Sequence, residues 1–164
     1  MSTITRPTSA VSSVTSKQVA AGAAGGFVGS ILFGLIMMYV IPAPILEMAI
    51  PAMYGIEGPA LLAGCVIHQF HGVVLGIAYV GLVQSSAVRE TARDLRGSLV
   101  LGVAYGVLAT LVLAVLVMPI WLGALGFAGA PPFPNLSFPG TLVSTVGHIV
   151  YAVPVAVGYA LSVR

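Results

Sequence analysis

The chain has 164 residues, of which 59% are hydrophobic and 6% charged, with a net charge of +2. Ordinary soluble domains carry about 25% charged residues, and a chain this short could bury only part of so apolar a surface in one soluble core. Six basic residues spread over three segments give no nucleic-acid-binding face, so lipid is the expected solvent and partner.

Residues 1–18 are rich in Ser and Thr and lack a basic stretch followed at once by an apolar core. They read as a disordered N-terminal tail and not a cleaved signal, ahead of a membrane domain over 19–164. Four apolar runs without Asp, Glu, Lys or Arg follow, at about 19–41, 60–83, 98–119 and 141–162. Each is near the roughly 20 residues that a helix needs to cross the hydrocarbon. Helix is the expected form, because lipid offers backbone amides no partners. The predicted fold class is therefore all-α, a polytopic four-helix bundle.

Between the first two spans, residues 42–59 carry only Glu47 and Glu57 as charges. Between the second and third, the "RETARDLRG" stretch from Arg89 to Gly97 interleaves Glu90 and Asp94 with Arg93 and Arg96. A solvated helical turn held by local ion pairs is the simpler reading, and a patch for anionic lipid or a partner is the other. The loop at 120–140 is rich in Pro, Gly and aromatic residues. It reads as a plain interfacial connection, with an ordered cap over the bundle mouth as the alternative. Asn135-Leu136-Ser137 within it fits a glycosylation sequon.

The basic residues set an orientation. Arg6 and Lys17 precede the first span, Arg89, Arg93 and Arg96 separate the second from the third, and Arg164 ends the chain. With four spans all of these lie on one side, which the positive-inside rule makes cytoplasmic. The expected location is the cell membrane, multi-pass, with both termini in the cytoplasm. Tyr54, Trp121, Phe127, Phe133 and Phe138 fall in the opposite loops, as interfacial anchors do.

The two halves of the chain resemble each other. Laying "GGFVGSILFGLIMMYVIP" (25–42) over "GVAYGVLATLVLAVLVMP" (102–119) matches Gly25 to Gly102, Gly29 to Gly106 and Pro42 to Pro119. Laying "HQFHGVVLGIAY" (68–79) over "HIVYAVPVAVGY" (148–159) matches His68 to His148, His71 to Tyr151 and Tyr79 to Tyr159. The preferred reading is a duplicated hairpin, repeat one over about 19–83 and repeat two over about 98–162. A pseudo-two-fold axis would then run along the membrane normal. Small residues four apart (Gly22–Gly26, Gly25–Gly29, Gly72–Gly76, Gly102–Gly106 and Ala152–Ala156–Ala160) allow close helix approach. They serve packing within the bundle, in a homo-oligomer or in a larger membrane complex.

His68 and His148 hold equivalent positions in the repeat, about 12 Å below the membrane boundary at 1.5 Å per residue. Ionisable groups at such depth face the bundle interior and are functional candidates. His71 follows His68 by one turn, Cys65 precedes it by one, and Pro154 frees the carbonyl of Val150 near His148. Three readings stay open. Neutral histidines could donate to carbonyls, or to Tyr79 and Tyr159, across helices. His68 and His148 could instead hold a haem b iron axially, or His68, His71 and His148 a transition metal, with either Cys65 or a methionine of the Met37–Met38 pair as the soft ligand. The third is a proton or solute path past the histidines, Tyr79, Tyr151, Tyr159 and Glu47, since imidazole titrates near neutral pH. No P-loop, G-x-S-x-G or H-E-x-x-H motif occurs, and the one cysteine allows no internal disulfide.

The residues Met118-Pro119, Leu122-Gly123 and Gly147-His148, with the Pro/Phe loop between them and the "HQFHGVVLGIAYV" block of the first half, carry a family resemblance. The chain resembles small, poorly characterised prokaryotic membrane proteins of the YagU-like inner-membrane type and their haloarchaeal relatives, over about residues 22–162. The resemblance implies a polytopic membrane protein without an assigned activity, and members associated with acid tolerance. Some such proteins carry an automatic histidine kinase label, but this chain has no room for a nucleotide-binding domain. The expected function is a small non-enzymatic membrane protein whose paired histidines hold the bundle together or respond to protons, as an accessory part of a larger complex. The alternative is a haem- or metal-binding electron-transfer subunit.

Overall fold

A computed structural model of the chain describes residues 14–41 and 44–164. Most of the expected N-terminal tail, with Arg6, and the Pro42 match of the repeat lie outside the described residues. The first helix, α1 (Ser16–Tyr39), starts inside the expected tail because the sequence supplies a capping box. The Thr15 hydroxyl accepts from the Gln18 amide at 3.3 Å, and the Gln18 side chain accepts from the Thr15 amide at 2.8 Å.

After α1 the chain makes a π-helical turn (Ile45–Ala49) and a short helix, α2 (Ile50–Ala52), within what the sequence presents as a loop. Leu46, Ile50 and Pro51 are buried, so this segment folds back onto the next span, α3 (Leu61–Leu82). Gly64 of α3 makes room, since a Cβ there would overlap the Leu46 carbonyl. Arg89 closes the far end of α3 by donating to the Gln84 carbonyl. Helix α4 (Arg89–Arg93) carries an exposed Arg93–Glu90 ion pair at 3.0 Å. Asp94 then caps α5 (Leu95–Ala109) by accepting from the Gly97 amide at 2.9 Å.

The third span runs from α5 through a π-helical segment (Thr110–Val117) into α6 (Met118–Ala124), and so outlasts the expected stop at Pro119. A proline has no amide for the carbonyl four residues back, here Val115. The returning loop supplies the missing donors. The Asn135 amide bonds the Val115 carbonyl at 3.1 Å, and Asn135 Nδ2 bonds the Ala114 carbonyl at 3.3 Å. Part of the 120–140 segment is therefore helix, and part is an ordered return strapped to that helix. The last helix is α7 (Gly140–Ser162).

Four helices, Ser16–Tyr39, Leu61–Leu82, Leu95–Ala124 and Gly140–Ser162, are long and apolar enough to cross a membrane, with mean hydropathy from 1.6 to 2.6. No strand occurs among the described residues. The fold is that of a small, all-helical, multi-pass membrane protein.

Small residues decide which helices meet. Gly22 and Gly26 of α1 face Gly72 and Gly76 of α3, Gly25 and Gly29 face Val155 and Tyr151 of α7, and Gly102 and Gly106 of α5 face α7 at Ala156 and Ile149. Around the bundle the order is thus α3, α1, α7, then the third span. Helix α7 lies at the centre, with Ala152, Val155, Ala156, Tyr159 and Ala160 all buried. Helix α3 is peripheral, 17% of its apolar window being buried against 33% in each of the others. The α1–α7 seam has no comparable counterpart between α3 and α5, so the packing does not display the expected two-fold axis. What lies between α3 and the third span is a cleft.

Candidate functional site

The cleft lies in the half of the bundle away from the chain termini and encloses about 400 Å³. All three histidines line it, together with Phe33 of α1, Trp121 of α6 and Tyr151 of α7. Interhelical hydrogen bonds to and from α3 set its shape, as expected where no hydrophobic effect drives helices together. His68 Nε2 donates to the Ser30 carbonyl of α1 at 3.0 Å, and Gln69 Nε2 donates to the Phe27 carbonyl at 2.7 Å. The Tyr151 hydroxyl donates to the Gly72 carbonyl at 2.8 Å, and the Tyr105 hydroxyl to the Leu75 carbonyl at 2.8 Å.

His148 donates from Nδ1 to the Ser144 carbonyl of its own helix at 2.9 Å and is 8% exposed. Phe33 lies against both imidazoles, its ring centroid 5.8 Å from that of His68 and 4.6 Å from that of His148. The ring fits there because residue 147 is glycine, since a Cβ on Gly147 would run into it. His71 takes a different partner. Its Nε2 shares a 2.5 Å hydrogen bond with the hydroxyl of Tyr54, which follows α2 and also approaches Trp121, at 5.9 Å between ring centroids.

His68, His71, His148 and Tyr151 therefore come together in one cleft. The other candidates do not join them. Among the described residues, no three of His, Cys, Asp and Glu converge on a point that could hold a metal ion, so the set of His68, His71, His148 and Cys65 is not assembled. The reason is helical geometry, because steps of three residues drift by about 60° around the axis. Cys65 packs against the apolar core instead, and Met38 is exposed while Met37 lines the cleft. Glu47 lines neither this cleft nor its neighbour, and its backbone carbonyl accepts from Ala60 at 2.8 Å.

Axial haem ligation needs two imidazoles on opposite faces of one macrocycle. Here Phe33 touches both rings, and His68 Nε2 is committed to Ser30, so this arrangement does not fit a haem between them. Tyr79 and Tyr159 lie nearer the other end, Tyr79 being eleven residues or about 16 Å along α3 from His68. They make no bond to a histidine. Gln84 donates to the Tyr159 hydroxyl at 3.2 Å, and Tyr79 packs between the rings of Tyr105 and Tyr159 at 5.1 and 6.2 Å.

A second cavity of about 540 Å³ lies under the returning loop between Phe127 and Ser137. It shares Ile41, Ile45, Ala114, Met118 and Ser144 with the histidine cleft, so the two adjoin. Phe33, Ser30, Tyr54 and Gly147 are the site residues that sequence reasoning missed. Only Gly147, in the Gly-His pair that opens the last span, gave a signal. No protein-family model, curated protein or solved structure matches the chain, so those comparisons bear neither way on the resemblance to YagU-like proteins.

Proposed function

We propose that this chain is a small, non-enzymatic membrane protein in which His68 and His148 form an interhelical clasp around Phe33. The termini and the arginine-bearing connection are taken as cytoplasmic, by the positive-inside rule. The two hairpins are taken as descendants of one, on the matched glycines and histidines, within the YagU-like group that the quoted motifs resemble. The observation that carries the clasp is the His68 Nε2–H on the Ser30 carbonyl of the neighbouring helix, at 3.0 Å. An imidazole facing acyl chains would leave a donor and an acceptor unpaired, so placing it at a helix seam turns a cost into a contact.

The test is the stability of two variants in detergent. His68→Gln keeps a donor that can reach Ser30 and is expected to stay close to the unmodified protein. His68→Leu is expected to lose about 1–2 kcal/mol, the upper part of the range of about 0.6–2 kcal/mol for an interhelical hydrogen bond in a membrane. A Leu variant as stable as the parent would overturn the clasp.

A proton-responsive role is the second reading, favoured by the adjoining cavity, which reaches Ser144 beside His148. The titratable groups around the pair are His71, Tyr54 and Tyr151, with no carboxylate, lysine or arginine among the cleft-lining residues. Protons on both imidazoles would put two like charges against one phenyl ring with no counter-ion among the cleft-lining residues, which disfavours the packed bundle. Stability is therefore expected to fall as the pH drops below about 6.5, where a histidine released from the bundle takes up its proton. The fall should shrink to the part that His71 carries when both His68 and His148 are replaced by Leu, and a fall undiminished there would remove this role.

A further inference from the structure

The carbonyl bonds of the two clasp histidines fix more than position. A carbonyl oxygen only accepts, so the imidazole nitrogen facing it must carry the proton. His68 is thereby held with Nε2 protonated and His148 with Nδ1 protonated. In the neutral ring the other nitrogen is then a bare acceptor, Nδ1 on His68 and Nε2 on His148. Among the described residues no donor is bonded to either of them, and both rings line the same cleft.

Apart from His71, which is bonded to Tyr54, and the Ser144 hydroxyl, the rest of the cleft is apolar and aromatic. Phe33 forms its floor, Leu113 and Val117 of the third span one wall, and the half-exposed rings of Tyr54 and Trp121 its rim. A volume of about 400 Å³ lies within the range of about 300–1,000 Å³ typical of small-molecule sites. Apolar walls with a few convergent polar atoms select for an apolar body and fix its orientation through the polar atoms. The two free histidine nitrogens accept, so the group that matches either of them must donate.

We infer that the cleft between α3 and the third span binds a small apolar molecule bearing a hydroxyl group, which donates its one proton to the free Nε2 of His148, with the free Nδ1 of His68 as the neighbouring acceptor. A hydrocarbon chain would fill the same space but leave both acceptors unmatched. The inference rests on the neutral, carbonyl-bound histidines of the clasp, but not on how much the clasp contributes to stability.

The protein carries its own reporter, since Trp121 at the rim is the one tryptophan in the chain. The experiment is a fluorescence titration of the whole protein in detergent with 1-naphthol, an aromatic hydroxyl donor. Its methyl ether, 1-methoxynaphthalene, has nearly the same body and no donor. Naphthol is expected to quench Trp121 saturably, with an apparent affinity about tenfold higher than the ether, as one well-placed hydrogen bond allows. His148→Phe is expected to abolish that preference. Val117→Phe, which fills the cleft and leaves all three histidines in the sequence, is expected to abolish saturable quenching by both compounds. Val100→Phe, on an exposed position of α5 outside the cleft, serves as the control and should bind as the parent does. Equal affinity for naphthol and its ether would overturn the inference in favour of a crevice for any hydrocarbon, and so would quenching that never saturates. The failure is distinguishable from failure of the clasp. The naphthol preference is read on the unmodified protein, whereas the clasp is read as the stability gap between His68→Gln and His68→Leu.

Discussion

Gly147 has no side chain, and for that reason it sets the geometry of the histidine cluster. The Phe33 ring occupies the space where a Cβ would be, and from there it meets both His68 and His148. Phe33 is 6% exposed, so the ring has little room to retreat. Two effects compete in Gly147→Ala. Alanine favours the helix by up to about 1 kcal/mol, while overpacking a tight site costs about 1–3 kcal/mol. The clash is with a planar ring packed on two others, so overpacking is expected to win and the variant to unfold at lower denaturant concentration than the parent. Adding Phe33→Leu should recover part of the loss, because a smaller side chain leaves room for the methyl group. A Gly147→Ala variant more stable than the parent would show that the ring simply moves aside. Sequence made the histidines visible, since few polar groups occur in the spans. It could not show Phe33, one apolar residue among many. Nor could it show Ser30 as the partner of His68, because the accepting atom is a backbone carbonyl that every residue carries.

The third span shows how an element can continue past its own stop signal. Pro119 should end the helix, and the preceding π-helical segment and the helix beyond it exist because Asn135 replaces the donor that proline lacks. Asn135→Ala removes the side-chain bond to Ala114 and loosens the backbone bond to Val115. The expected cost is about 1–3 kcal/mol, that of leaving partly buried carbonyls unpaired. The cost should shrink in a Pro119→Ala background, where residue 119 regains its own amide. A double-mutant cycle measures the difference, and strictly additive effects would separate Asn135 from the proline. The same bond bears on the sequon at Asn135-Leu136-Ser137, because the amide nitrogen that a glycan would need is already engaged. Pro119 was legible in sequence as a break. Its repair comes from a residue sixteen positions later, and local pattern carries no trace of that. The turn over Ile45–Ala52 was hidden for a related reason, since its apolar residues look like any interfacial loop until Leu46 and Pro51 are seen buried against α3.

For the whole molecule, the number and approximate extent of the spans were legible because long uncharged apolar runs suit little besides a membrane crossing. The order of packing was not. A membrane helix is apolar on its buried and exposed faces alike, so no stripe marks which side meets a neighbour; Phe27, Ile31 and Leu35 of α1 are exposed beside its buried glycines. A two-fold axis between the hairpins would make the α1–α7 contact and the contact of α3 with the third span equivalent, yet α1 meets α7 along a glycine seam while α3 and the third span stand apart around the cleft. Orientation is the remaining large-scale expectation, and it rests on charge alone. Arg89, Arg93, Arg96 and Arg164 all lie at one end of the bundle, and no Lys or Arg occurs in the described loops at the other. The chain has a single cysteine, so Cys65→Ser gives a background free of thiols. Ser86 is exposed at the basic end, and Phe138 at the opposite end is 87% exposed, so each can be replaced by cysteine singly with little packing lost. In intact cells a membrane-impermeant maleimide is expected to label the Phe138→Cys protein at once and the Ser86→Cys protein only after lysis. The reverse pattern would invert the orientation while keeping four spans. Equal labelling of both positions in intact cells would remove the four-span arrangement, because an odd number of crossings must separate residue 86 from residue 138.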